Sequence, residues 1–126
     1  MTIYSAPLSD IEFSLNSFVD LPSIMKYDHF GEADHSMVSD LLAEAGRFMT
    51  DIFAPLNKSG DNEGAKRNAD GTVSTPQGFI EAYQAYVDAG WGAVSFDTGF
   101  GGGGFPFVVG IAGNAWIRIL AFAMLY

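Results

Sequence analysis

Ser36-Met37-Val38-Ser39-Asp40-Leu41-Leu42-Ala43-Glu44-Ala45-Gly46-Arg47-Phe48-Met49-Thr50-Asp51-Ile52-Phe53-Ala54-Pro55 is the stretch on which the fold turns. Val38, Leu41, Leu42, Ala45, Phe48, Met49, Ile52 and Phe53 recur with the period of a helix that buries one side. Ser39, Asp40, Glu44, Arg47 and Asp51 fall mostly off that stripe. The spacing predicts a long helix starting at about Asp34 or Ser36. Pro55 is expected to stop it, because the residue before a proline is pushed out of the helical region.

Toward the N-terminus, Leu8-Ser9-Asp10-Ile11-Glu12-Phe13 reads as a helix start. Ser9 is the expected N-cap, Glu12 closes a capping box, and Leu8 and Phe13 stand where a hydrophobic staple needs them. Ile11, Leu15, Phe18 and Val19 continue one stripe, and the helix is expected to end before Pro22. Lys26 to Ser36 is polar and irregular.

Toward the C-terminus, Asn57 to Ser74 reads as a loop rich in Gly, Asn, Asp and charge, with Asp70-Gly71 turning a small hairpin into Thr72-Val73-Ser74. Thr75-Pro76 is expected to open a third helix whose buried stripe is Phe79, Tyr83, Tyr86 and Val87. Gly90 suits a left-handed C-terminal cap, with Trp91 folding back as its apolar partner. Ala93-Val94-Ser95-Phe96 reads as a short extended piece, and Pro106 can start a fourth helix after the glycine run. The expected fold is therefore all-α: a small bundle of about four helices with one long loop. It forms a single domain over residues 1–126, with residues 1–33 as an extension carrying a short helix.

Composition narrows the function. Of 126 residues 48% are apolar and 14% aromatic, enough for a real core and unlike a disordered tail. Fifteen acidic residues against six basic ones give a formal charge of −9, which argues against nucleic acid and anionic membranes as partners. There is no cysteine, so disulfides, thiolate metal sites and a cysteine nucleophile are excluded. The opening Met1-Thr2-Ile3-Tyr4-Ser5-Ala6-Pro7 lacks the basic and apolar regions of a signal peptide, and a cytoplasmic location is the default expectation.

Four segments could carry chemistry. Gly99-Phe100-Gly101-Gly102-Gly103-Gly104 formally satisfies the dinucleotide pattern G-x-G-x-x-G. No Asp or Glu follows Asp97 to hold a ribose, and no Lys-Ser or Lys-Thr follows the glycines as a P-loop requires. The run reads instead as a tight turn where backbone passes close to packed helices. Asp28, His29, Glu32, Asp34 and His35 are potential metal ligands, but their spacing does not converge, and acids at a helix start satisfy the helix dipole without a metal. Asp61, Glu63, Lys66 and Arg67 read as a solvated charged loop. Phe107 to Tyr126 has Asn114 and Arg118 as its only strongly polar members. Its length would allow a membrane span, yet Arg118 sits near the middle and basic flanks are missing, so a helix buried on most faces accounts for it better. Four short helices can shield only some of it, so an exposed apolar face is expected, and such a face in a soluble protein usually marks a missing partner.

Together these motifs resemble the flavin-dependent acyl-CoA dehydrogenases, and within them the longer bacterial subgroup with an N-terminal extension. Tyr4-Ser5-Ala6-Pro7-Leu8 through Phe13 looks like that extension. Ala54-Pro55-Leu56-Asn57 with Gly60-Asp61 and Gly64 is similar to the family's helix-to-loop segment. Thr75-Pro76-Gln77-Gly78-Phe79, Glu81-Ala82-Tyr83 and Gly90-Trp91 look like its next helix. Phe100-Gly101-Gly102-Gly103-Gly104-Phe105-Pro106 resembles its glycine–proline turn. The departure is Gly113 to Leu120, which lacks the acid the family usually has there before Ala121-Phe122-Ala123-Met124 returns close to the pattern.

The resemblance implies the N-terminal helical domain of an oxidoreductase that introduces a double bond into an acyl-CoA. In the family FAD and the thioester lie between a middle β-domain and a C-terminal bundle. A glutamate of the last domain takes the α-proton and the flavin accepts a hydride. No residue of this chain corresponds to that base or to the main flavin contacts. FAD is thus expected in the parent and no cofactor in this chain alone, whose role would be one wall of the substrate channel. Gly101, Gly102, Gly104 and Pro106 are the expected substrate-proximal element. The expected partners are the remainder of the parent or another copy, met through the last apolar helix. The alternative is a helical interaction or dimerisation module with no catalytic role.

Overall fold

A computed structural model of the chain describes residues 4–30 and 33–113. It is helical, with α1 (Leu8–Ser17), α2 (Leu21–Ile24), α3 (His35–Phe48), α4 (Ala54–Glu63) and α5 (Phe79–Asp88), and residues 107–113 are again helical. β1 (Lys66–Arg67) and β2 (Val73–Ser74) form a two-stranded antiparallel hairpin with Lys66 opposite Ser74 and Arg67 opposite Val73. The expected all-α bundle is what the chain forms.

The long amphipathic helix is its spine. Asp34 caps α3, its carboxylate accepting from the Met37 amide at 2.9 Å and from the Ser36 hydroxyl at 2.6 Å. Both bonds favour the charged form, first the hydroxyl and then the amide, and hold the carboxyl below its ordinary range. The α3 stripe then feeds three adjoining apolar clusters. Val38 and Leu42 pack with Leu15, Leu21 and Val109; Ala45 packs with Trp91 and Val94; Met49 and Phe53 pack with Ala82. One face of one helix thus ties α1, the segment after α5 and α5 itself into a single core, the arrangement that its sequence period demands.

Pro55 does not stop this helix. A π-helical turn, Met49–Phe53, widens the backbone so that the Ala54 amide reaches the Met49 carbonyl. Pro55 then occupies the first turn of α4, where a missing N–H costs nothing. The expected loop accordingly begins at Gly64, not at Asn57. α4 is held from outside: Gly60 is buried so closely against Phe79 that an added Cβ would stand 2.8 Å from the ring's Cε1.

Three further boundaries differ from expectation. Ser9 is not the cap of α1. The Pro7 carbonyl accepts from Asp10 and Ile11, so the helix is already under way at Leu8. Phe13 is left exposed against Phe18, edge to face at 5.7 Å, and the stripe turns outward at Phe18 once α1 has ended. α2, unforeseen, places Pro22 in its first turn. α5 begins at Phe79, after a turn in which Gly78 has a φ of +88° and Phe79 donates to the Pro76 carbonyl; the Glu63 carboxylate fixes that turn through the Gln77 amide at 3.1 Å. The hairpin at Asp70-Gly71 and the left-handed Gly90 ahead of a buried Trp91 are as expected.

Candidate functional site

Ala93 to Pro106 is the most elaborate piece of backbone in the chain. Trp91–Ala93 is a single 3-10 turn, and the Phe96 amide closes a further turn onto the Ala93 carbonyl at 3.0 Å. The expected extended piece at Ala93–Phe96 is therefore a turn. The Asp97 carboxylate accepts from the Gly99 amide at 2.7 Å and starts a second 3-10 turn, Thr98–Phe100.

From there the chain doubles back beneath Val94 to Phe96. Gly103 donates to Ala93, Gly104 to Phe96 and Phe105 to Val94, at 3.0, 2.9 and 3.2 Å. Gly102 lies so close to Phe96 that an added Cβ would overlap its carbonyl outright and stand 2.5 Å from its Cβ. At Gly103 an added Cβ would meet the Val94 carbonyl oxygen at 2.6 Å. The glycines are there because backbone packs on backbone.

This geometry decides the phosphate question. Phe100, Gly101 and Gly102 donate to the carbonyls of Asp97, Thr98 and Asp97. Every amide from Gly99 to Phe105 is thus engaged within the chain, and none is left to cradle a phosphate as a dinucleotide loop must.

Beside the turn opens a cleft of about 450 Å³, lined by Asp28, His29, Phe30, Ala33, Met37, Asp97, Thr98, Gly103, Gly104 and Phe105. Met37 of α3, the 3-10 turn Asp28–Phe30 and the glycine turn all contribute to its lining. Of the expected substrate-proximal residues only Gly104 reaches it. Gly101 sits exposed at the tip, Gly102 lies half-buried under Phe96, and Pro106 is buried where the helix 107–113 begins. Gly103 and Phe105, not singled out in the sequence, line the cleft instead. No local signal picks them out, since Gly103, Gly104 and Phe105 line the cleft consecutively and are placed by pairing with Ala93 to Phe96.

The acidic and histidine residues divide. Asp28 and His29 face the cleft, His29 edge to face with Phe30 at 4.9 Å. Asp34 caps α3, and His35 lies 3.1 Å from the Asn16 side chain on α1. Glu32 lies outside the described residues. Among those described, no three such groups gather where they could hold a metal ion.

Between α1 and residues 107–113 runs a second, more apolar groove of about 520 Å³, lined by Ile11, Leu15, Val19, Val108, Ile111 and Ala112 among others. Most of the apolar segment Phe107 to Tyr126 lies outside the described residues. Among those described, no helix is long and apolar enough to cross a membrane.

No protein-family model matches the chain. It is 38% identical over 109 residues to a 3-methylmercaptopropionyl-CoA dehydrogenase of Ruegeria pomeroyi, a match that takes in 86% of this chain. The same match covers 18% of that protein, so the chain spans less than a fifth of the relative's length. The relationship bears out the resemblance to acyl-CoA dehydrogenases drawn from the motifs.

Proposed function

We propose that this chain supplies the N-terminal helical part of an FAD-dependent acyl-CoA dehydrogenase, walls one side of its acyl-CoA channel, and catalyses nothing alone. The observation that supports this best is the 38% identity to a dehydrogenase of an acyl-CoA thioester over most of the chain. The geometry agrees. The family-like turn from Phe100 to Pro106 is rigidly closed on itself, with an open cleft beside it, and its role is shape rather than chemistry.

The residues described here do not suit the flavin itself. A dinucleotide carries a pyrophosphate, which binds where amides or cations are free to receive it. The amides of the glycine turn are engaged, and the cleft is lined by Asp28 and Asp97 with no Lys or Arg among its residues. FAD therefore belongs to other parts of the parent in this reading, and no step of the reaction is assigned to these side chains.

The test exchanges the matched 109-residue segment of the Ruegeria enzyme for that of this chain. The expected chimera retains flavin through gel filtration and oxidises the thioester, whereas the isolated chain incubated with FAD emerges colourless. A chimera that folds but cannot hold flavin, or an isolated chain that retains near one flavin per molecule, overturns the proposal.

A further inference from the structure

α5 carries a wider apolar arc than the chain covers. Ala82 is buried and Tyr86 half-buried against the Met49 and Phe53 cluster, so that side of the helix is accounted for. Turning further round the same helix, Ile80, Tyr83 and Val87 are 71%, 66% and 48% exposed, so of the expected buried stripe only Phe79 and Tyr86 turn inward, beside a buried Ala82. They stand at i, i+3 and i+7, which places them in one row along the helix. Tyr83 is held in place by stacking on Tyr86, their ring centres 6.5 Å apart. Phe13 and Phe18, also exposed, are differently situated: they stand edge to face with each other and not in a row along one helix.

Charge chooses the occupant. The charged residues of α5 are Glu81 and Asp88, with Gln84 bonded to Asp88 at 2.8 Å, and the helix has no basic residue. The whole chain carries −9. A two-fold pairing of copies through this row would bring two chains of −9 together, a like-charge arrangement that disfavours association. The complementary surface is therefore apolar at its centre and rimmed with Lys or Arg, and it belongs to a different polypeptide segment. The matched relative has further polypeptide in quantity, since more than four-fifths of it lies outside the match.

We infer that the Ile80–Tyr83–Val87 row of α5 is the docking surface for the remainder of the dehydrogenase, seated through an apolar patch with a basic rim. This rests on the proposed function. Tyr83 is its centre, an aromatic anchor of the kind that dominates interfaces, and the chain's net negative charge favours a basic partner.

The test uses the chimera described above, with and without the pair Tyr83→Glu and Val87→Glu, and a Phe18→Glu control on an exposed aromatic away from the row. Both substituted α5 positions are exposed in the chain, so the isolated variant should keep the helix content of the parent chain by circular dichroism. In the chimera the pair should raise flavin loss on gel filtration on the order of tenfold, as buried charge at an anchor does, while Phe18→Glu leaves it unchanged. An active chimera indifferent to the pair overturns the docking surface and leaves the proposed function standing. An unsubstituted chimera without flavin overturns the proposed function, and the docking surface with it. A dimer of the isolated chain, seen by light scattering and abolished by the same pair, assigns the row to a second copy and overturns the inference.

Discussion

The hairpin turn at Asp70-Gly71 and the turn at Gly101–Gly104 are both short, glycine-bearing and largely at the surface, but different forces hold them. At the hairpin side chains reinforce a short backbone pairing. The Asp70 carboxylate accepts from the Thr72 amide at 3.0 Å and its hydroxyl at 2.7 Å, and the Asn68 amide reaches Thr72 and Ser74 at 2.9 Å each. Gly71 has a φ of +88° and nothing within 4 Å of where a Cβ would go. At the second turn the backbone folds onto itself, and Gly102 sits against the Phe96 carbonyl with no room for a Cβ. One glycine is required by a dihedral angle and the other by volume. A motif of repeated glycines cannot distinguish the two, and only the second makes a rigid wall.

Gly102→Ala is the sharpest way to break that contrast. The obstructing atoms belong to the backbone of Phe96, which cannot swing aside without parting the bonds that Gly103, Gly104 and Phe105 make to the same stretch. The expected loss is about 3 kcal/mol, at the upper end for overpacking, read from the midpoint of urea unfolding. A loss below about 1 kcal/mol would mean that the turn yields, and its reading as a fixed wall would fail.

Gly71→Ala should cost less, about 1 kcal/mol, because the new methyl meets only solvent and the penalty is that of a left-handed backbone. Gly71→Asn should recover part of it, since asparagine tolerates that conformation better than other residues. If both variants were as damaging as Gly102→Ala, the two turns would not differ in kind.

The same contrast explains how far the sequence could be read. The α3 stripe was legible because a helix that buries one face must repeat its apolar residues, and each of Val38, Leu42, Ala45, Met49 and Phe53 is buried. The Asp70-Gly71 turn and the Gly90 cap were legible because their signals are local. α4 was not, because its sequence Ala54–Glu63 is polar and glycine-bearing, and what secures it is a tertiary contact between Gly60 and Phe79. The passage through Pro55 depends on a π-turn, which no local pattern announces. At the cleft, the glycine–proline motif located the turn correctly but not its lining. Which of Gly101 to Gly104 faces outward is set by the pairing with Ala93–Phe96, and the sequence had suggested an extended piece there.

The smallest expected effect isolates the side-chain half of the comparison. Asp70 is held below the ordinary aspartate value of 3.8 by the Thr72 hydroxyl first and the Thr72 amide second. Its folded pKa is thus depressed, so the stabilisation it lends is fully present above the unfolded value. It is lost as pH falls from about there through the folded pKa. The group is at the surface, so the effect is local, and the Thr72 amide resonance should report it better than global unfolding does. On acidification below 3.8 that amide should shift as the carboxylate protonates, and the protection of the hairpin amides of Asn68 and Gly71, relative to their intrinsic exchange at each pH, should fall. Asp70→Asn keeps an oxygen to accept the same bonds but cannot titrate, so its Thr72 resonance should stay flat over that range. The amides of Gly102 to Phe105, held by carbonyls, should be indifferent to pH in both proteins. Were they to move with Asp70, the two turns would be coupled and the division between side-chain and backbone support would have to be abandoned.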